Sequence, residues 1–201
     1  MAEFITKEKQ EDVNEFHFIG VLTGKIRNDR ASTIFMRMTT RHGSRTFTNF
    51  PAIHIFDEEL RNLIENIPTR SLISVNGYIT SKKQAPEDRQ RALQSFVMTE
   101  CEVLEDEKTP HKNEITILGN VYRAYVARGR NVNFILVSFR EGYYMKRIKV
   151  EAFPKKDVNY MEFMAAGTRL KVTAHCSTRS EDTTQGRRYY EYIVADSIET
   201  A

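Results

Sequence analysis

The sequence contains two related halves, and this internal repeat limits the possible folds more than any other feature. Residues 14–20 read NEFHFIG, and residues 113–119 read NEITILG at an offset of 99. An offset of 97 aligns residues 53–82 with the second half without a gap, and an offset of 96 places Phe96 on Tyr192. The offsets change only between apolar segments, where loops tolerate insertions. A repeat of this kind indicates two copies of one structural unit.

The predicted domain bounds follow from the repeat. Copy one covers residues 14–104, copy two covers residues 113–199, and residues 1–13 form an N-terminal extension. Residues 105–112 between the copies are polar and include a proline, which is typical of a linker. A chain of 201 residues has room for two small domains, and its hydrophobic content of 40% is sufficient for two packed cores.

Each copy has the same predicted order of elements: three strands, one short helix and two strands. Alternating apolar residues predict the strands. Helical spacing predicts the helix, with Asp57 as N-cap in copy one and Asp157 in copy two. The apolar face of the first helix is predicted to comprise Leu60, Leu63, Ile64 and Ile67. The predicted strands are 14–23, 34–40, 47–56, 72–79 and 93–103 in copy one, and 113–122, 134–139, 146–153, 170–176 and 189–198 in copy two.

This order of elements is typical of the OB-fold, which is a small five-stranded Greek-key barrel. The predicted fold class is therefore all-β with short helices, arranged as two tandem OB-fold barrels. A five-stranded sandwich with a helical crossover is the alternative that the order of elements leaves open.

The reactive side chains form no pattern that indicates an enzyme or a metal site. The five histidines show neither HxxxH nor HExxH spacing, and Cys101 and Cys176 are interpreted as packing residues in separate strands. Residues 128–130 read RGR without the GK(S/T) of a phosphate-binding loop. We expect no catalytic residue, no metal and no cofactor. No apolar stretch approaches the ~20 residues of a membrane span, so we expect a cytoplasmic protein without a membrane partner.

Aromatic and basic residues share the predicted outer faces of the strands, because successive side chains of a strand point to opposite sides. In the third strand of copy two, Ile148, Val150 and Ala152 form the inward row. Binding of single-stranded nucleic acid needs such a surface, with cations for the phosphates and rings for the bases. Core packing is the alternative for any single ring. The outward candidates are Phe35, Arg37, Phe50, His54 and Phe56 in copy one, and Phe134, Arg147, Lys149 and Phe153 in copy two, where Glu151 shares the outer row.

Loops of copy two supply further basic and aromatic candidates for nucleic-acid contact. Three arginines fall in the loop that joins the first two strands, two tyrosines in the next hairpin, and an arginine and a tyrosine beside the last loop. These candidates are Arg123, Arg128, Arg130, Tyr143, Tyr144, Arg187 and Tyr189.

Copy two resembles the bacterial-type single-stranded DNA-binding protein family. Residues 113–121, NEITILGNV, are similar to the first strand of that family, and residues 133–137 resemble the second. Residues 147–153 and 166–174 resemble the third and fourth strands. In copy one Gly20, Val75-Asn76-Gly77 and Phe96 fit the pattern. The resemblance implies OB-folds that bind single-stranded DNA without sequence readout, in replication, recombination or transfer, and a homodimer that presents four OB-folds.

Two departures separate the chain from the usual members of the family. Family members commonly stack bases on tryptophans, and this chain has none. The sequence stops at Ala201, directly after the last predicted strand, so recruitment of partners by an acidic tail is not expected. A tail-less form of this kind resembles members carried by phages, plasmids or conjugative elements.

Charge is shared unequally between the copies. Residues 1–108 contain 15 Lys and Arg against 17 Asp and Glu, a net of −2, whereas residues 109–201 contain 15 against 10, a net of +5. Copy two is therefore expected to make more of the phosphate contacts. The alternatives left open are a protein-interaction or oligomerisation module and a binder of single-stranded RNA, because OB-folds serve both roles.

Overall fold

The computed structural model describes residues 11–42, 44–81, 94–126, 132–141, 144–154, 165–183 and 186–201. Within these ranges the chain forms eleven strands and one helix. The second predicted helix, with Asp157 as its cap, lies outside the described residues. The elements are β1 (Val13–Arg27), β2 (Ser32–His42), β3 (Arg45–Asn49), β4 (Ala52–Ile55), α1 (Glu58–Asn66), β5 (Leu72–Ser81), β6 (Gln94–Val103), β7 (Lys112–Val126), β8 (Asn133–Glu141), β9 (Tyr144–Ala152), β10 (Arg169–Thr183) and β11 (Gly186–Thr200).

The strands of each copy close into a five-stranded barrel. In copy one β1 pairs with β2, β2 with β4, β4 with β6 in parallel, β6 with β5, and β5 with β1. In copy two β7, β8, β9, β11 and β10 make the same ring, again with one parallel pair. Closed rings of this order confirm two OB-fold barrels, and the sandwich alternative is wrong because a sandwich leaves its sheets open.

The third strand of copy one differs from its prediction. The segment predicted as one strand at residues 47–56 is divided into β3 and β4, with Pro51 between them. Proline has no N–H group to donate to a neighbouring strand, so it interrupts a strand inside a sheet. The Pro51 carbonyl still accepts a hydrogen bond from Met36 N, at 3.2 Å. As a result β3 forms a hairpin with β2 that projects beyond the barrel.

The single described helix begins as predicted and buries a narrower face than predicted. Asp57 caps it, because its carboxylate accepts a hydrogen bond from Leu60 N at 2.9 Å. Ile64 and Ile67 are buried, but Leu63 is 44% exposed. At the other end Lys25 Nζ donates to three backbone carbonyls at 2.9–3.1 Å, which satisfies acceptors that a helix end leaves open.

Three aromatic rings lie in the core of copy one at positions where copy two has aliphatic side chains. Phe16, Phe18 and Phe96 are mutually in contact, with ring centroids 4.5–5.2 Å apart. The structurally equivalent residues of copy two are isoleucines, of which Ile115 lies opposite Phe16. Edge-to-face and tilted ring pairs add to the stabilisation that burial provides.

The barrels are joined by antiparallel pairing of β1 with β7, from Val13 opposite Leu118 to Ile19 opposite Lys112. Phe16 and Ile115 face each other at the centre of this pairing, and they are also equivalent at the repeat offset of 99. Each half therefore presents the same segment to the other, as in the interface of a two-fold symmetric dimer. A single chain thus contains an arrangement that otherwise needs two subunits.

The asparagine that begins each repeated segment, Asn14 in β1 and Asn113 in β7, is hydrogen-bonded to the backbone of a neighbouring strand. Asn14 Nδ2 donates to Ile79 O at 2.7 Å, and Ile79 N donates to Asn14 Oδ1 at 3.1 Å. Asn113 makes the same two bonds with the backbone of Cys176, both at 2.8 Å. A side-chain amide can donate and accept at once, so it replaces a backbone peptide group at this point.

The repeated glycine of the same motifs allows a close approach of two strands. A Cβ atom at Gly20 would lie 2.7 Å from Arg37 O, and one at Gly119 would lie 2.5 Å from Ser138 O. Both distances are shorter than a carbon–oxygen contact permits, so only glycine fits where the first strand of each barrel crosses the second.

The last strand of each copy shows that one predicted offset is wrong by one residue. Ile53 pairs with Phe96 in copy one, and Val150 pairs with Ile193 in copy two. Phe96 is therefore equivalent to Ile193 at an offset of 97, and not to Tyr192. Phe96 and Ile193 are both buried in their barrels, so the match by aromatic character was misleading.

A second pair of equivalent side chains joins each barrel to the other. Gln94 of copy one donates from Nε2 to Lys149 O at 3.0 Å and accepts from Lys149 N at 2.6 Å. The equivalent contact in copy two is made by Glu191, whose Oε1 accepts from Ala52 N at 2.5 Å. Burial raises the pKa of Glu191 from its ordinary 4.5 to about 7, and the bond from Ala52 lowers it in part. An ionised carboxylate has no hydrogen to donate, so Glu191 cannot reproduce both bonds of Gln94.

Replacing Asn113 with aspartate should destabilise the fold. A carboxylate still accepts from the Cys176 N–H group but cannot donate to its carbonyl, and a buried group that loses its partner costs about 1–3 kcal/mol. Urea denaturation should show this loss for Asn113→Asp and a smaller one for Asn14→Asp, because Asn14 is less buried. Unchanged stability of Asn113→Asp would contradict the role of the amide.

Glu191 should make the free energy of unfolding fall as the pH rises from about 4.5 to about 7. In this window the folded chain binds the Glu191 proton more tightly than the unfolded chain does, so stability decreases with pH. Glu191→Gln should lack this component and be more stable than the parent protein at pH 8, by at most about 3 kcal/mol.

Denaturation of both proteins at several pH values provides the measurement. His17 and His111 have pKa values lowered by burial, so each protein will show other pH effects, and the difference between the two curves isolates Glu191. Parallel curves would show that Glu191 titrates in its ordinary range.

Candidate nucleic-acid interface

The outer surface of β7, β8 and β9 brings cations and aromatic rings together, and we call it the basic aromatic face. Neighbouring residues of the three strands lie directly opposite one another, as Arg123, Leu136 and Lys149 do in one row. The predicted inward row of β9 is confirmed, because Ile148, Val150 and Ala152 are buried. The basic aromatic face consists of Tyr122, Arg123, Tyr125, Phe134, Arg147 and Lys149.

At one end of this face, Arg147 stacks on Tyr122. The guanidinium carbon lies 3.6 Å from the ring centroid, and the Tyr122 side chain is 50% exposed. A β-bulge between Val121 and Arg123 places Tyr122 on the surface beside β9, as bulges redirect side chains at functional surfaces. Cation–π contact holds ring and guanidinium close together, next to open solvent.

At the other end of the face, Tyr125 covers Phe134. The two residues are paired across β7 and β8, and their ring centroids lie 5.3 Å apart. Lys149 Nζ lies 4.4 Å from the Phe134 ring, and Arg123 lies 5.8 Å from the Tyr125 ring. Phe134 is consequently only 8% exposed, whereas Tyr125 is exposed. Tyr125, rather than the predicted Phe134, presents its ring to solvent.

Glu151, which shares the predicted outer row, is buried beneath its neighbours. Its carboxylate accepts from Arg179 Nη2 at 2.8 Å, and Arg179 lies over the Tyr192 ring at 4.3 Å. The pairing removes this negative charge from the surface beside Lys149.

The equivalent surface of copy one has no cation at the corresponding positions. Phe50 takes the place of Arg147, and Ala52 takes the place of Lys149. A cavity of about 460 Å³ lies there, between the barrels. It is lined by Thr23, Phe35, Phe50 and Ala52 of copy one and by Tyr189 and Glu191 of copy two.

The remaining candidates of copy one lie apart from this cavity. Phe56 is 54% exposed and lines a cavity of about 690 Å³ beside α1, where Asp57 and Glu59 are its acidic neighbours. The His54 ring lies 6.5 Å from that of Phe56 and is hydrogen-bonded to Thr33 Oγ1 at 3.0 Å. Arg37 is exposed on β2 and acts electrostatically on His111, whose pKa is lowered by burial and then by Arg37.

Phe153 is equivalent to Phe56 but lies at the junction of the two barrels. It lines a cavity of about 360 Å³ with Phe47 and Asn49 of the β2–β3 hairpin and with Arg179. The hairpin is anchored there, because Thr178 N donates to Asn49 Oδ1 at 3.0 Å and Phe50 N donates to Thr178 Oγ1 at 3.0 Å. Phe153 therefore lies beside a hairpin of the other copy, whereas the cavity at Phe56 is lined by residues of its own copy.

Several predicted loop contacts lie outside what the structure describes. Arg128, Arg130 and Tyr143 fall outside the described residues, and for Tyr144 and Arg187 only the backbone, in β9 and β11, is described. Tyr189 is described and is 62% exposed.

The cysteines have the environment of packing residues. Burial raises the pKa of Cys101 to about 11 and that of Cys176 well above its ordinary value. A nucleophilic cysteine needs a lowered pKa, because the thiolate is the reactive form. The described part of the chain contains no cluster of potential metal ligands and no helix long and apolar enough to cross a membrane.

Comparison with solved structures finds the same fold in a single-stranded DNA-binding protein. The wild-type protein from Thermus aquaticus aligns with 96% of this chain and 94% of its own, at a TM-score of 0.73 and 14% sequence identity. A deletion mutant of that protein aligns with 95% of each chain, at a TM-score of 0.71 and 14% identity. No protein-family model matches the sequence, and no curated protein does so either.

Proposed function

We propose that this chain binds single-stranded DNA with little sequence preference and protects it during replication, recombination or transfer. The observation that carries the proposal is the basic aromatic face, where Arg147 stacks on Tyr122 at 3.6 Å and Lys149 lies 4.4 Å from Phe134. The fold shared with the Thermus aquaticus single-stranded DNA-binding protein supports it. The proposed role is non-catalytic. Both cysteines are free, which fits a reducing cytoplasm.

The face suits unpaired bases better than a duplex. Each base stacked on an aromatic ring contributes about 1–3 kcal/mol, and every base has a surface to stack. In a duplex these surfaces are covered by neighbouring base pairs, so the rings have nothing to bind. The arginines and Lys149 attract phosphates of either kind of strand, which makes the rings the source of the preference.

A titration with matched single-stranded DNA, duplex DNA and single-stranded RNA at several salt concentrations tests the proposal. Single-stranded DNA should bind more tightly than duplex, and log K against log salt should fall by about 0.7 for each phosphate contacted. Equal affinity for duplex would contradict the stacking role, and a flat salt dependence would favour a protein ligand. Tighter binding of RNA would make RNA the ligand of the same face.

The two copies should contribute unequally. The double variant Phe153→Ala/Lys149→Ala should lose more affinity than Phe56→Ala/His54→Ala, because Lys149 belongs to the basic aromatic face whereas Phe56 lies beside Asp57 and Glu59. Loss of the Phe153 ring as a stacking surface should cost about 1–3 kcal/mol of binding free energy. Loss of Lys149 should lower the salt slope by about one phosphate. Fluorescence titration measures both, with circular dichroism as the control for folding. A larger loss in the copy-one variant would reverse the assignment.

We also propose a homodimer that presents four OB-folds. The outer surface of the joined sheet carries a groove of about 450 Å³ lined by Glu15, His17, Glu100, Lys112 and Glu114. Lys112 Nζ lies 2.8 Å from Glu114 and 3.1 Å from His17 Nδ1. Charges of both signs about the pseudo-two-fold axis allow a second copy to pair with the same surface.

Light scattering should therefore give twice the mass of one chain, both free and bound to DNA. Reversing the charge of Lys112 (Lys112→Glu) should weaken the dimer, because the groove would then contain a run of acids. A monomer in the parent protein at working concentration would refute the dimer and leave DNA binding by one chain untouched.

A further inference from the structure

The cavity between the barrels combines stacking surfaces with a single acidic group. Phe35 and Phe50 of copy one and Tyr189 of copy two contribute three rings, and Glu191 contributes the carboxyl group. Phe50 is 43% exposed and Tyr189 is 62% exposed, so both rings are accessible from solvent. A volume of about 460 Å³ is more than a purine base needs.

No cation lines this cavity among the described residues. The basic aromatic face places Arg147 and Lys149 where this cavity has Phe50 and Ala52, so the two equivalent surfaces have opposite electrostatic character. A carboxylate repels the phosphates of a bound strand. A strand that passes here must therefore turn a base, and not its backbone, toward Glu191.

The carboxyl group is held in place and retains capacity to accept hydrogen bonds. Its Oε1 accepts from Ala52 N at 2.5 Å, and an ionised carboxylate offers about four acceptor positions. Thr23 donates its hydroxyl hydrogen to Phe35 O at 3.0 Å, and Tyr189 adds one further hydroxyl group to the lining. Glu191 is thus the charged group available to distinguish one base from another.

We propose that this cavity binds a guanine base of the bound strand and recognises its N1–H and N2–H groups through Glu191. Guanine presents two adjacent donors on its Watson–Crick edge, which is unpaired in a single strand. Thymine presents one donor between two carbonyl oxygens, and these would face the carboxylate oxygens unfavourably. Acidic side chains accept hydrogen bonds from base amino groups in the same way in other complexes. The inference rests on the proposed binding of single-stranded DNA and adds one base-selective position to it.

The experiment compares three oligonucleotides that differ at one base. One is all thymidine, the second carries one central guanine, and the third carries hypoxanthine, which keeps N1–H but lacks the N2 amino group. Affinities are measured by competition at pH 8, where Glu191 is mostly ionised because its pKa is about 7. The protein is the full chain and its Glu191→Gln variant. Glu199→Gln on the same strand serves as the control for loss of one negative charge.

The parent protein should bind the guanine oligonucleotide about 5-fold or more tightly than all thymidine, as one bidentate contact discriminates bases. Hypoxanthine should give an intermediate affinity. Glu191→Gln keeps an acceptor for Ala52 N, so it should fold and bind all thymidine, but its preference for guanine should be lost. Glu199→Gln should keep the preference.

Each other outcome decides against the proposal. Equal affinity of the parent protein for all three oligonucleotides, with binding intact, would refute the guanine site and leave the proposed function standing. A guanine preference that persists in Glu191→Gln would place its source elsewhere. Failure to bind any of the oligonucleotides would refute the proposed function together with this site.

Discussion

The pairing of β1 with β7 determines how the two barrels are arranged. It puts Phe16 opposite its own repeat equivalent, Ile115, and so fixes a two-fold relation between the barrels. Because of that relation, the last strand of each barrel reaches the outer surface of the other. Gln94 binds the backbone of Lys149 on one side, and Glu191 binds that of Ala52 on the other. The interface between barrels and the candidate binding surfaces are therefore the same region.

Within this symmetric frame the side chains have diverged. Copy two has Arg147 and Lys149 on the basic aromatic face, where copy one has Phe50 and Ala52. Both surfaces keep aromatic rings for stacking, but only one has cations at these positions. The net charges agree with this difference, because the half with copy two carries +5 and the half with copy one carries −2. One chain thus has two unlike candidate surfaces, one with cations and rings and the other with rings and a carboxyl group.

Features of the fold that a local pattern determines were predictable from the sequence. The repeat, the strand order and the cap at Asp57 are all visible in spacing and residue type. The division of the third strand at Pro51 could have been inferred from the missing N–H group. The offset of the last strand could not, because aromatic character suggested Tyr192, whereas burial selects Ile193.

The site was less predictable because its features depend on contacts between distant parts of the chain. A β-bulge turns Tyr122 outward, and simple alternation of a strand contains no signal for it. Phe134 lies on the predicted face, but Tyr125 covers it. The role of Glu191 arises only when β11 of one barrel meets β4 of the other. The Glu191 contact depends on the pairing between the copies, which the repeat suggests without specifying its register.

Hydrogen–deuterium exchange of the full chain, with and without single-stranded DNA, tests whether the basic aromatic face binds the strand. Binding should slow exchange at the backbone around Tyr122, Tyr125 and Arg147, with a smaller change around Phe50. Amides beside the groove at Glu15 and Glu114 should be unaffected by DNA. Slower exchange confined to that groove, with none on the basic aromatic face, would show that the strand binds elsewhere.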